Sequence, residues 1–288
     1  MQMTQSDRIV PAERMLEGAG FEVRRPFPTP NLHAVGPFIL LDHIGPRTVA
    51  PMKAVGAPTH PHAGLETITV LFEGGGRHKD SLGNLSITGP GEVQWMRAGK
   101  GIVHDEGPTE EIFQHGGRSH GVQLWLNMPG DHKHDDPDYR HLRVSDIPAI
   151  TGAGVQISLI AGTHAGEIGP LETHSDPLLL AARLDAGAAY TFDLRPDHHH
   201  GVYLMTGAAS LRAGEPAVQE GELALVASAT ASLTVTGGET GAHLIVFGGP
   251  PIEDTLVRYG PFVANSQAHM HDIIRAYQAG RFGAIPQD

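Results

Sequence analysis

The chain has 288 residues, 40% of them hydrophobic, a formal net charge of −12 and no cysteine. The length allows one large or two medium domains, and the lack of cysteine excludes disulfides and thiolate chemistry, so any metal must be held by nitrogen and oxygen. The negative charge argues against direct nucleic-acid binding, which needs clustered Lys and Arg; no apolar run approaches the ~20 residues of a membrane span, and the polar stretch Met1–Val10 has no signal-peptide core, which predicts a cytoplasmic protein.

In chain order, short strand-like runs appear at Phe38–Leu41, Glu66–Phe72, Leu85–Thr88, Val93–Met96, Gly121–Asn127, Gln156–Ile160, Tyr190–Leu194, Gly201–Met205, Glu222–Val226, Ser232–Val235 and His243–Phe247. They are separated by glycine and proline turn signals, the pattern of a β-sandwich or β-barrel. One amphipathic helix is expected around Ser266–Ala279, with Met270, Ile273, Ile274 and Tyr277 at helical spacing. The fold class is therefore mainly β. A weak internal repeat sets Thr67–Gly74 against Gly201–Gly207 and Pro90–Trp95 against Glu220–Leu225. Matching Gly74 to Gly207 and Gly91 to Gly221 gives nearly the same offset, which predicts two related barrels in tandem. Their join is expected in the polar stretch Asp131–Ala149, giving domains 1–140 and 141–288.

Histidine is the compositional outlier, at 19 residues. Most have ordinary readings. His132 and His134 sit in a polar, Asp-rich loop expected to be solvated, and Arg24-Arg25 is too short a run to form a basic patch. Two segments differ: Thr59-His60-Pro61-His62-Ala63-Gly64-Leu65-Glu66 and Gly99-Lys100-Gly101-Ile102-Val103-His104-Asp105-Glu106. In extended backbone, residues two apart project from one face, so His60 pairs with His62 and His104 with Glu106. If these segments are neighbouring strands, three imidazoles and a carboxylate converge, a donor set suited to a divalent transition metal. At the repeat offsets the second half carries Asp193, Arg195, Thr234 and Thr236 in place of the four ligands, so one metal is expected. The run His198-His199-His200 fits a strand-entry loop better than a second site. On strand Gly121–Asn127, Gln123, Trp125 and Asn127 share one face, and Gln123 either hydrogen-bonds a ligand or a metal-bound water or serves with Trp125 as a packing residue. His115 and His120, in the Gly-rich stretch before it, are expected at the cavity mouth.

The His-X-His motif followed by Glu66 and Gly74, with Gly101 to His104 later, resembles the cupin superfamily. The match is closest to the pirin family, through His60-Pro61-His62, Glu66-Thr67, Gln94-Trp95-Met96, Ala98-Gly99 and Gly101-Ile102-Val103-His104-Asp105-Glu106. Flanking matches are Arg24-Arg25-Pro26-Phe27, Leu40-Leu41-Asp42-His43, Gly260-Pro261-Phe262-Val263, Asn265 and Tyr277–Gly283. The resemblance runs from about Val10 to Pro286; His269 departs from it, standing where an acidic residue is commoner.

The resemblance implies a bicupin, two jelly-roll barrels with a short C-terminal helix, and one metal ion in the N-terminal barrel. The ion is usually iron, Fe(II), with Zn, Mn, Ni or Cu as alternatives, and the ligands fall on His60, His62, His104 and Glu106. Glu66, a ligand in many other cupins, is then structural. Two functions follow. Some pirins act as quercetin 2,3-dioxygenases, which implies a flavonol-like substrate and gives Glu106 a catalytic role as ligand and base. Others behave as redox-sensitive regulators that bind protein partners.

Overall fold

The computed structural model describes residues 8–212 and 215–286, so the polar opening Met1–Val10 is seen only from Arg8. The chain forms two compact units. One contains Arg14–Arg25, Leu40–Val144 and the segment from Ile252 onward; the other contains the segment up to Glu13, Pro26–Ile39 and Ser145–Pro251.

This corrects the contiguous domains 1–140 and 141–288. The main changeover, Val144/Ser145, lies in the expected polar stretch, but both chain ends cross over. Strand Arg8–Pro11 pairs with Glu222–Leu225 of the second half. The C-terminal helix instead joins the first half, its apolar face packed on Ala63, Val103, Phe262 and Ala264.

The first unit is a seven-stranded sheet and a four-stranded sheet. Its strands in chain order are β1 (Glu13–Glu17), β2 (Phe21–Phe27), β3 (Phe38–Val49), β4 (Ala57–His62), β5 (Leu65–Glu73), β6 (Gly76–Asp80), β7 (Leu85–Thr88), β8 (Val93–Arg97) and β9 (Ile102–Pro108). A short helix α1 (Glu110–His115), β10 (Gly117–Asn127), β11 (Asp138–Leu142) and the terminal helix α2 (Gln267–Gln278) follow. The larger sheet runs β11-β8-β5-β10-β3-β2-β1 and the smaller β4-β9-β6-β7. Val122, Leu124 and Leu126 on one side of β10 are fully buried, which leaves Gln123 and Trp125 on the side that lines a cavity. β4 is an edge strand, so Pro58 and Pro61 remove no ladder hydrogen bond from a sheet interior.

The second unit is a nine-stranded sheet. Its longest strand, Ser232–Gly249, pairs with Ala189–Asp193 through its first half and with Leu178–Leu184 through its second. Val202, Leu204, Val235, Leu244 and Val246 form part of its apolar core. The repeat survives as a shared backbone contact: Gly91 N–H donates to Leu71 O at 2.7 Å, and Gly221 N–H to Leu204 O at 2.8 Å.

Helix α2 starts where the sequence predicts it. Ser266 is its N-cap, accepting from His269 N–H at 3.1 Å, and Met270 and Ile273 are buried. Tyr277 is 42% exposed and contacts Phe262 and Phe282 at the rim. The helix thus backs the residues that follow His62 and precede His104.

One charged group lies deep in this unit. Lys133, 1% exposed, donates through Nζ to Gly64 O and Asn127 Oδ1, both at 2.7 Å. The loop around it is therefore not simply solvated: His132 pairs with Asp135 and the His134 ring lies tilted against that of His269 at 4.5 Å. Burial pulls the Lys133 ammonium down from 10.5 to about 7. Between these values the unfolded chain binds the extra proton, so this cost to stability is full below pH 7 and fades towards pH 10.5. The unfolding free energy of wild type should therefore rise across that window relative to Lys133→Met, measured by urea denaturation at a series of pH values.

Candidate metal centre

β4 and β9 pair antiparallel, with His62 opposite Ile102 and His60 opposite His104. Between His104 and Glu106 the register shifts, and Glu106 stands opposite Ala57. A bulge of this kind re-aims a side chain, here at the ligand end of the strand. The rings of His60, His62 and His104 come together at centroid distances of 4.3 to 5.0 Å. One ring nitrogen from each lies within 4.8 Å of the others.

A second triad overlaps the first: His78, His104 and Glu106, again within 4.8 Å. Sequence reasoning missed His78. It stands on β6 directly opposite Glu106, with Asp80 on the same face and opposite His104. Its Nε2 bonds Asp80 Oδ2 at 3.1 Å, and its ring stacks on Tyr139 at 4.2 Å. Burial would raise the Asp80 carboxyl, but hydrogen bonds from His78 and Asn84 hold it below its usual value. The signal was His78-Lys79-Asp80, an alternation whose meaning depends on β6 pairing with β9.

The electrostatics fit a cation. Burial, then the neighbouring His60, lowers the His62 imidazole to about 3, and burial with the adjacent histidines holds His104 well below its usual value. Both rings are neutral near pH 7, the form that offers a lone pair. Neither ring nitrogen of His104, nor Nδ1 of His62, has a hydrogen-bond partner among the described residues. Leaving a buried polar atom unsatisfied costs about 1–3 kcal/mol, and a bound divalent ion removes that cost. His60 Nδ1 lies 2.8 Å from Pro58 O; donating there leaves Nε2 as its free lone pair. Orphaned nitrogens, neutral rings and a nearby carboxylate are the donor set of a metal site.

The carboxylate is held in turn. Gln123 Nε2 donates to both oxygens of Glu106, at 3.2 and 3.0 Å, and lies 3.1 Å from Thr69 Oγ1. Trp125 Nε1 donates to Gln123 Oε1 at 3.3 Å, and the Trp125 ring meets His62 edge-on at 4.9 Å. Glu66 is elsewhere: it is fully buried and accepts from Trp95 Nε1 at 3.0 Å. The cluster opens into a cavity of about 710 Å³ that reaches Leu40, Leu71, Val49, Ile112 and Arg258.

The pirin family profile matches residues 20–126, and that of the pirin C-terminal cupin domain matches residues 179–283. The chain belongs to the pirin family. A Pseudomonas aeruginosa protein provisionally named quercetin 2,3-dioxygenase is 35% identical over 276 residues, 94% of this pirin and 95% of the relative. Pirin of Mus musculus is 30% identical over 270 residues, 93% and 90% of the two chains. The crystal structure of quercetin 2,3-dioxygenase from Acinetobacter baumannii superposes with a TM-score of 0.90 at 29% identity, covering 97% of this chain and 98% of that one. The expected fold, two cupin domains with one short terminal helix, is the fold of this pirin.

Three histidine expectations can be settled on the structure. His115 ends α1, exposed to solvent. His120 is not at the cavity mouth: β10 extends back to Gly117, and a register shift at His120/Gly121 turns His120 inward, 3.0 Å from His43 and stacked near Phe72. His198, His199 and His200 stand at the entry to strand His199–Ser210, with His200 Nε2 bonded to Arg195 O at 3.0 Å. They form no converging ligand group among the described residues.

Proposed function

We propose that this pirin is a metal-dependent dioxygenase acting on a flavonol-like small molecule, with His60, His62, His104 and Glu106 as ligands to a single ferrous ion. The observation that carries the reading is the converging trio His60, His62 and His104, two of them with orphaned buried nitrogens, beside a cavity that His60, His62 and Glu106 line. The names of the related proteins support the reaction class. When bound, the ion supplies Lewis-acid polarisation of an enol oxygen and lowers the cost of its deprotonation. Glu106 accepts that proton at a carboxylate oxygen, while Gln123 and Trp125 fix its orientation. Leu40, Leu71 and Ile112 offer apolar surface to an aromatic body and exclude water from it. His78, tied to Asp80, borders His104 and Glu106 and restricts how far either moves.

The test is aerobic incubation of the iron-loaded protein with quercetin, following the flavonol absorbance band, beside a His62→Ala control. Consumption above that control supports the reading. Consumption equal to it transfers the metal to a regulatory role in which the protein binds partners without turnover. Gln123→Leu should retain iron but lose roughly 10- to 100-fold in turnover, because a residue that orients a ligand usually contributes on that scale. Metal analysis and the quercetin assay on one preparation check both halves.

A further inference from the structure

The arginines that line the cavity are not equivalent. Arg25 is matched to Asp42 at 2.6 and 2.5 Å and to Glu17 at 2.7 Å. Arg77 is matched to Asp105 at 2.5 Å. Arg47 also lines the cavity, yet no carboxylate pairs with it among the described residues; its Nε, like that of Arg77, is buried without a hydrogen-bond partner there. It lies beyond Asp42 on β3, by about 16 Å for extended backbone, in a wall that includes Ile44, Val49, Leu71 and Ile112.

A solvated surface arginine would have its donors in water. This one lines the cavity with no carboxylate beside it, so an anionic ligand there supplies the partner that Asp42 and Asp105 give the other two. The guanidinium fork matches a carboxylate in two parallel hydrogen bonds, and it stays charged at every working pH. A second cation, Arg258, lies 5.4 Å over the Trp125 ring beside the ligand cluster. Four arginines (Arg25, Arg47, Arg77 and Arg258) and three carboxylates (Glu17, Asp42 and Glu106) line the cavity, so its wall carries a small excess of positive charge inside a chain whose net charge is −12, and a low-dielectric cleft focuses such a field on anions.

We infer that the substrate carries a carboxylate, which Arg47 binds while the enol end of the molecule faces the histidine cluster. The enol end rests on the dioxygenase reading above; the carboxylate end rests on Arg47 alone. The probes are a flavonol with one carboxylate on its outer ring and the methyl ester of the same compound. Both are titrated by calorimetry into the metal-loaded full chain. Wild type should bind the acid about tenfold more tightly, roughly 1.4 kcal/mol. Arg47→Met should bring the acid down to the affinity of the ester, and Arg47→Lys, which keeps the charge but not the fork, should retain part of the preference. Equal affinity of wild type for acid and ester overturns the proposal, as does a preference that survives in Arg47→Met. Quercetin turnover is read on the same preparations. A wild type that prefers the acid but consumes neither the acid nor quercetin refutes the dioxygenase and leaves this inference standing; consumption without the preference refutes this inference alone.

Discussion

His104→Ala should empty the metal site: elemental analysis of iron-loaded protein should fall from about one ion per chain to a small fraction of that. His104 is the residue common to both ligand triads, so its loss breaks each of them at once, whereas loss of His60 or His78 leaves one intact. Alanine also removes two buried nitrogens that have no partner among the described residues, so the metal-free fold loses little that it was using. The variant should therefore melt close to metal-free wild type while losing the stabilisation that added iron gives wild type. That stabilisation is about 4 kcal/mol when free metal stands at a thousand times its dissociation constant. Differential scanning calorimetry with and without iron reads both quantities. A variant that keeps its iron would remove His104 from the ligand set.

Gly64→Ala should be the most destabilising small substitution near the site, by about 4 kcal/mol, or a fall in Tm of roughly 10 °C. Gly64 has φ +73°, and a Cβ there would stand 1.9 Å from Val263 O. Left-handed backbone costs an L-residue about 1–2 kcal/mol; the larger part of the effect is the overlap, which only movement of backbone relieves. Gly64 also donates to Gly99 O at 2.8 Å and accepts from Lys133, so the shift pulls on the turn that follows His62. Gly83→Ala is the control. Its φ is +90° with nothing within 4 Å of the added carbon, so it should cost only the backbone term, about 1–2 kcal/mol. Chemical denaturation of the two variants side by side measures the difference.

The fold and the centre of the site were legible for two reasons: period-two alternation survives in short windows, and the motifs around it resemble those of the pirin family. His60 with His62, and His104 with Glu106, are spaced to share a face whatever else the chain does, and β-pairing then brings the two faces together. The buried Leu and Val positions of β5 and β10 read the same way. His78 was not legible, because its alternation with Asp80 acquires meaning only when β6 lies beside β9. His120 was misplaced because a register shift changes which way a side chain points, and no local composition marks it. The crossing of the termini was hidden for a similar reason. Arg8–Pro11 is too short to show a period, and its partner Glu222–Leu225 is distant in sequence. Arg47 lay beyond the expected strand Phe38–Leu41 and carried no signal, since its lack of a counter-charge is a property of its surroundings.

The long return of the chain from Ile252 onward has a consequence for biosynthesis. Arg258, Gly260 and Pro261 line the same cavity as His60 and His62, and Phe262, Met270 and Phe282 cover the backbone beside them. A ribosome therefore releases these last side chains long after the first histidines have emerged. The nascent pocket waits, with one wall missing, until the chain has been translated past Phe282. Binding of a metal ion in the finished geometry is thus a late event in the life of each molecule, and a message truncated upstream of Ile252 yields His60, His62, His104 and Glu106 without the chamber that encloses them.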